Sequence, residues 1–242
     1  MTRAEAIADG LARVRARIAD AERAAGRAPG SVRLLAISKK MPPDDVRAAL
    51  AAGQQSFGEN YAQELRDKRA ALAGDTPAPE WHFVGPLQSN KVKYVAGQAA
   101  LIHSVDSPGL LAAIDGRGVA QACLVQVNVA GEAQKRGVGP EALPALLDAF
   151  ATATHARCEG LMLIPPFDED PRPHFAALRA LRDREAARGR PNVDLRELSM
   201  GMSDDFPQAI AEGATIVRVG TAIFGERPAR QDGPSGPPSP TY

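Results

Sequence analysis

ACLVQVNV (122–129) and CEGLMLI (158–164), with EALPALLDAFATA (141–153) between them, decide the fold. The outer two runs are short and apolar and read as buried strands, and the middle one carries apolar residues at helical spacing. Strand, helix, strand within 122–164 is the unit of a parallel sheet, because the helix must return the chain to the end from which it started.

The alternation continues in both directions. Upstream, RLLAIS (33–38) precedes the helical PDDVRAALAAG (43–53), and QQSFGEN (54–60) precedes a helix over 61–73. WHFVG (81–85) then leads to a short helix, NKVKYVAG, and LIHSV (101–105) to a helix over 107–115. Downstream follow a helix over 171–188, LRELSM (195–200), a helix over 206–212, and TIVRVG (215–220) running into TAIFG. Eight units without a break between halves predict an α/β protein with a single closed (β/α)8 TIM-type barrel. An open parallel sheet is the alternative. Ahead of the barrel, Ile7, Leu11, Val14 and Ile18 share one face of an amphipathic helix over 2–25, with Thr2 and Glu5 at capping-box spacing. The domain is expected over 1–227, and the Pro- and Gly-rich stretch 228–242 is expected to be a disordered tail.

The chain has 242 residues, close to the roughly 250 of one such barrel. Lys+Arg and Asp+Glu both total 29, which argues against a general affinity for nucleic acid or anionic membrane. The N-terminus mixes charges of both signs and does not read as a signal peptide. Cys123 and Cys158 lie in apolar runs without metal spacing and read as core thiols, which fits a reducing cytoplasm. His82 and His103 lie in apolar strands and read as core or lining residues, and no metal site is expected.

In a parallel barrel the chemistry sits at the C-terminal ends of the strands. Lys39 ends the first strand. Taken alone it reads first as a solvated lysine; its other reading is an amine that forms a Schiff base once burial or nearby charge lowers its pKa. Arg218, Gly220 and Thr221 end the last strand, where barrels commonly bind phosphate. Ser203 adds donors after the seventh strand, while Asp204 and Asp205 there suit a helix cap and would repel phosphate. A tight turn with a cap is the plainer reading of this region.

LLAISK (34–39), FGENYAQE (57–64), WHFVGPLQSNK (81–91), GLMLIP (160–165), LSMGMSDDFPQAIAEGAT (198–215) and VRVGTAIFG (217–225) together resemble the pyridoxal phosphate homeostasis protein family. That group of barrels is related to the barrel domain of alanine racemase. The resemblance implies pyridoxal 5′-phosphate (PLP) held as a Schiff base on Lys39, Asn60 beside the ring, and Arg218 facing the pyridine nitrogen. It implies Ser203, Gly220 and Thr221 at the phosphate.

The implied role is a PLP carrier and buffer in PLP homeostasis, without metabolic turnover and so without a catalytic residue. The alternative is a PLP-dependent racemase or decarboxylase of the same barrel class. A racemase needs a second base, and of the three tyrosines only Tyr61 adjoins a candidate site residue. No second domain is expected after Gly225. PLP and apo PLP-dependent enzymes are the expected partners, and a monomer is the expected state.

Overall fold

The computed structural model describes residues 1–132 and 136–225. Eight parallel strands form a closed barrel in sequence order. They are β1 (Arg33–Ile37), β2 (Ser56–Glu59), β3 (Glu80–Phe83), β4 (Leu101–Val105), β5 (Gln121–Gln126), β6 (Ala156–Met162), β7 (Val193–Ser199) and β8 (Ile216–Val219). Helices α1 (Arg3–Ala24), α2 (Pro43–Ala51), α3 (Ala62–Ala71), α4 (Pro108–Asp115), α5 (Leu143–Ala151), α6 (Arg172–Ala186), α7 (Phe206–Ala211) and α8 (Thr221–Phe224) surround it. β1 closes the ring by pairing with β8, Leu35 opposite Arg218 and Ala36 opposite Val219.

The pleat sorts the side chains into two cores. Leu35, Leu101, Ala122, Leu124, Met162 and Ile216 form a small apolar cluster apart from the main one. The larger core includes Ala36, Phe57, Ile102 and Val125 of the strands with Val46, Leu65, Phe150 and Phe175 of the helices. Cys123 and Cys158 belong to it, and burial pushes both thiols up, Cys158 to about 12. They are core thiols.

Several elements are shorter than the sequence suggests. NKVKYVAG contributes to a 3-10 helix over Ser89–Tyr94. EALPALLDAFATA becomes helical only from Leu143, which leaves Pro144 in the first turn, where its missing N–H does no harm. RLLAIS leaves the strand after Ile37 and ACLVQVNV after Gln126, releasing their polar ends to the barrel mouth. The proposed tail, 228–242, lies outside the described residues.

α1 does the work of an eighth barrel helix. The Thr2–Glu5 capping box forms, and α1 packs against α2, α7 and α8. The four-residue α8 is too short to cover β8 and β1 alone. A Cβ at Gly10 would stand 2.7 Å from the Ile223 carbonyl oxygen, so glycine lets the two helices meet. No helix among the described residues is long and apolar enough to cross a membrane.

Candidate functional site at the barrel mouth

The six residues singled out in the sequence come from β7, β8, β1 and β2, four consecutive staves at one end. Lys39 is partly buried in the turn after β1. Asn60 follows β2 directly and is also partly buried. Arg218 is buried within β8, and Gly220 and Thr221 leave that strand's end. A Cβ on Gly220 would stand 3.2 Å from the Ile37 oxygen, so the exit of β8 lies against β1 two residues before Lys39. Ser203 is the outlying member. Its carbonyl accepts from Arg17 Nη2 of α1 at 3.4 Å, which ties its loop to the outer helices.

Behind Lys39 lies a charged cluster. Glu59 is fully buried, and its Oε1 accepts from Ser38 Oγ at 2.6 Å and Lys68 Nζ at 2.7 Å. Lys68, also buried, donates to Glu64 Oε1 at 2.8 Å and to the Ser38 carbonyl at 2.6 Å. These three bonds use all three ammonium donors. Glu59 Oε2 is buried without a hydrogen-bond partner among the described residues. Burial raises the Glu59 carboxyl to about 7, with the Lys68 charge pulling against it.

A second network crosses the barrel interior. Glu80 Oε1 lies 3.0 Å from His82 Nε2, and His82 Nδ1 lies 2.9 Å from His103 Nε2. His103 Nδ1 is 2.9 Å from Ser199 Oγ, which is 2.9 Å from Arg218 Nη1. With one proton on each imidazole, the two ends orient every link. A guanidinium only donates and a carboxylate only accepts. The Ser199 hydroxyl therefore accepts from Arg218 and donates to His103, His103 Nε2–H donates to His82, and His82 Nε2–H donates to Glu80. Burial, followed by the neighbouring His82, Arg218 and Arg33, pushes His103 well below the usual histidine range, so that imidazole is neutral. The His82 bond is the main cause that holds Glu80 down, at about 2.

Arg218 also donates to the Ser199 carbonyl at 2.7 Å and from Nη2 to the Leu163 carbonyl at 2.9 Å. Its Nε–H and one Nη2–H make no hydrogen bond among the described residues. Burial lowers it to about 10, so it is still a cation at neutral pH.

The mouth also offers an acceptor. Asn60 Oδ1 is buried and has no hydrogen-bond partner among the described residues. A group of this kind calls for a ligand donor or a water. Gly85 lets the Asn60 backbone pass close by, since a Cβ there would stand 2.1 Å from the Asn60 carbonyl oxygen. The Asp205 cap expected from sequence does not form. Asp205 holds the N-cap position of α7 without a side-chain cap bond, and its Oδ1 accepts from Met202 N at 2.5 Å instead. The carboxylate closes the 202–205 loop.

Sequence reasoning places Glu59 and Ser199 among the polar strand ends but gives them no role, and it missed Glu64, Lys68 and the role of the histidines. Period-two alternation puts His82 with Val84 and His103 with Leu101 on the inner face, which was the available signal for the interior chain. No local pattern pairs Lys68 with Ser38, 30 residues away.

The sequence matches the alanine racemase N-terminal domain over residues 10–228. A barrel of that class is what the closed sheet and its mouth define. A pyridoxal phosphate homeostasis protein of Pseudomonas aeruginosa is 47% identical, with 91% of this chain and 96% of that protein covered. Its namesake in Aquifex aeolicus is 46% identical over 90% and 96%. PipY of Synechococcus elongatus, solved with PLP bound, superposes with a TM-score of 0.78 at 37% identity, covering 90% of this chain and 100% of that one. The chain belongs to the pyridoxal phosphate homeostasis protein family. Alanine racemase of Corynebacterium glutamicum, at 16% identity and a TM-score of 0.68 over 95% of this chain and 63% of that one, shares the fold.

Proposed function

We propose that this chain binds PLP as a Schiff base on Lys39 and acts in PLP homeostasis as a carrier and buffer, without metabolic turnover. The carrying observation is that β1 pairs with β8, so Lys39 and the Arg218–Thr221 segment share one end of the barrel. When bound, PLP supplies an aldehyde that condenses with the lysine amine with loss of water.

The remaining residues hold and orient it. Gly220 lets the backbone approach the phosphate closely. The N–H groups of Thr221 and Ala222 precede the first intrahelical bond of α8, which runs from Ile223 N to the Gly220 oxygen, and so are available to an anion. Ser203 lines the neighbouring loop. The buried Asn60 oxygen and the spare Arg218 donors suit the two kinds of polar group on a pyridine ring that carries a hydroxyl.

Arg218 also favours the carrier over a racemase or decarboxylase. Carbanion chemistry on PLP profits from a protonated ring nitrogen, and a guanidinium can donate to that nitrogen but cannot keep it protonated. Tyr61, the candidate second base, is 50% exposed, where water weakens electrostatic catalysis. The same reading takes apo PLP-dependent enzymes as recipients, the cytoplasm as the location, and a monomer as the working unit.

The test is the visible spectrum and PLP content of purified protein. Wild type is expected to carry a Schiff-base band that Lys39→Ala loses. Transfer of PLP to an apo-enzyme supports the carrier, and steady turnover of D- or L-amino acids would overturn it.

A further inference from the structure

Helix α3 grips the chain on both sides of Lys39. Lys68 Nζ donates to the Ser38 carbonyl at 2.6 Å, which belongs to the peptide bond entering Lys39. Glu64 Oε1 accepts from the N–H of Lys40, which belongs to the peptide bond leaving it. Peptide groups are planar. Two held planes on either side of one Cα fix the φ and ψ between them, and with them the direction of Cβ.

The clamp is itself braced. Glu64 and Lys68 are one helical turn apart and bonded at 2.8 Å. Lys68, 5% exposed, spends its remaining donor on Glu59, which is 0% exposed. Lys40 has φ 63, a left-handed conformation that L-residues rarely adopt without outside support. Glu64 supplies that support through the Lys40 N–H. Stability alone is a poor reason for such a cluster, since buried ion pairs often exchange for apolar packing without loss. A need for direction explains it better.

We propose that Glu64 and Lys68 are positioning residues for Lys39: by holding both flanking peptide planes, α3 aims the lysine into the mouth. What it is aimed at rests on the PLP reading above; the clamp does not.

Glu64 is the residue to change, because it lies nearer the surface than Lys68. Glu64→Ala removes the acceptor for Lys40 N–H, whereas Glu64→Gln keeps an oxygen there. In cofactor-free protein, Glu64→Ala is expected to speed hydrogen exchange of the Lys40 amide about tenfold, the worth of one charge-assisted hydrogen bond. Glu64→Gln should stay near wild type. With PLP added, Glu64→Ala should weaken retention by about tenfold and move the pH midpoint of the visible band, with Glu64→Gln again restoring both. Lys68→Met should act in the same direction, and Glu64→Ala stands alone if that variant does not fold.

Unchanged Lys40 exchange in Glu64→Ala overturns the clamp. Faster exchange with wild-type PLP retention and pH midpoint overturns its aiming role. A wild type that binds no PLP, yet whose Lys40 exchange answers to Glu64, sinks the proposed function and leaves the clamp standing.

Discussion

Two polar networks back the mouth, and they are built from opposite materials. Behind Lys39, between β2 and α3, stand formal charges: Glu59, Lys68 and Glu64. Behind Arg218, inside the barrel, runs a chain whose middle links are a hydroxyl and two imidazoles. The first holds its target by attraction between ions. The second holds it by fixed hydrogen-bond direction, with its carboxylate, Glu80, at the far end. A buried charge answers to protons near neutrality when desolvation moves its pKa there, and Glu59 sits at about 7. A neutral link does not, and His103 is held well below the usual range. In the folded protein Glu59 behind the lysine therefore exchanges a proton near neutrality, whereas His103 behind the arginine stays neutral.

The largest effect should come from Lys68→Met, which strands the buried Glu59 carboxylate. Unfolding of cofactor-free protein in urea at pH 8 should show a loss of about 3 kcal/mol, within the range for breaking a buried pair. The loss should shrink at pH 6, where Glu59 is protonated in both proteins. A loss independent of pH would break the contrast between the networks.

His103→Leu should come next. It leaves the Ser199 hydroxyl and His82 Nδ1 without their partners, at about 2 kcal/mol. Here the loss should be modestly smaller at pH 6 than at pH 8, because the imidazole is neutral in the folded protein at both but takes up a proton on unfolding below its ordinary pKa of 6.5. A loss that instead grows toward pH 6 in the same urea titrations would show that charge enters the folded interior chain after all.

The smallest effects come from neutralising the two carboxylates, and they run in opposite senses. Glu59 is raised from 4.5 to about 7. Its contribution to stability is present below pH 4.5 and is lost as pH rises through about 7. Glu59→Gln should therefore gain on wild type across that window. Glu80 is lowered from 4.5 to about 2. Its contribution is present above pH 4.5 and is lost as pH falls through about 2. Glu80→Gln should trail wild type above that window and converge with it in acid, weakly, since the carboxylate is half exposed to water. Melting temperatures across pH for the two variants should give difference curves of opposite slope. Parallel curves would merge the two networks into one.

Much of the architecture was legible because it repeats. Apolar runs alternating with helical periods announced each βα unit, and eight of them closed into the barrel. The mouth was partly legible for the same reason, since strand ends are where such barrels expose polar groups, and Lys39, Asn60, Arg218, Gly220 and Thr221 all lie at or near one. The boundary errors have local causes, such as Pro144 delaying α5. The misread cap at Asp205 has another, because its carboxylate bonds the Met202 N–H instead of the helix donors.

The sequence by itself determined the periodicity, the order of the strands and the chemical type at each strand end, because these depend on neighbours along the chain. Only the tertiary structure decided which groups stand behind them. Lys68 reaches Ser38, and Arg218 reaches Ser199, across separations of 30 and 19 residues. Contacts of that kind exist only once the ring has closed and the water around those groups has been removed.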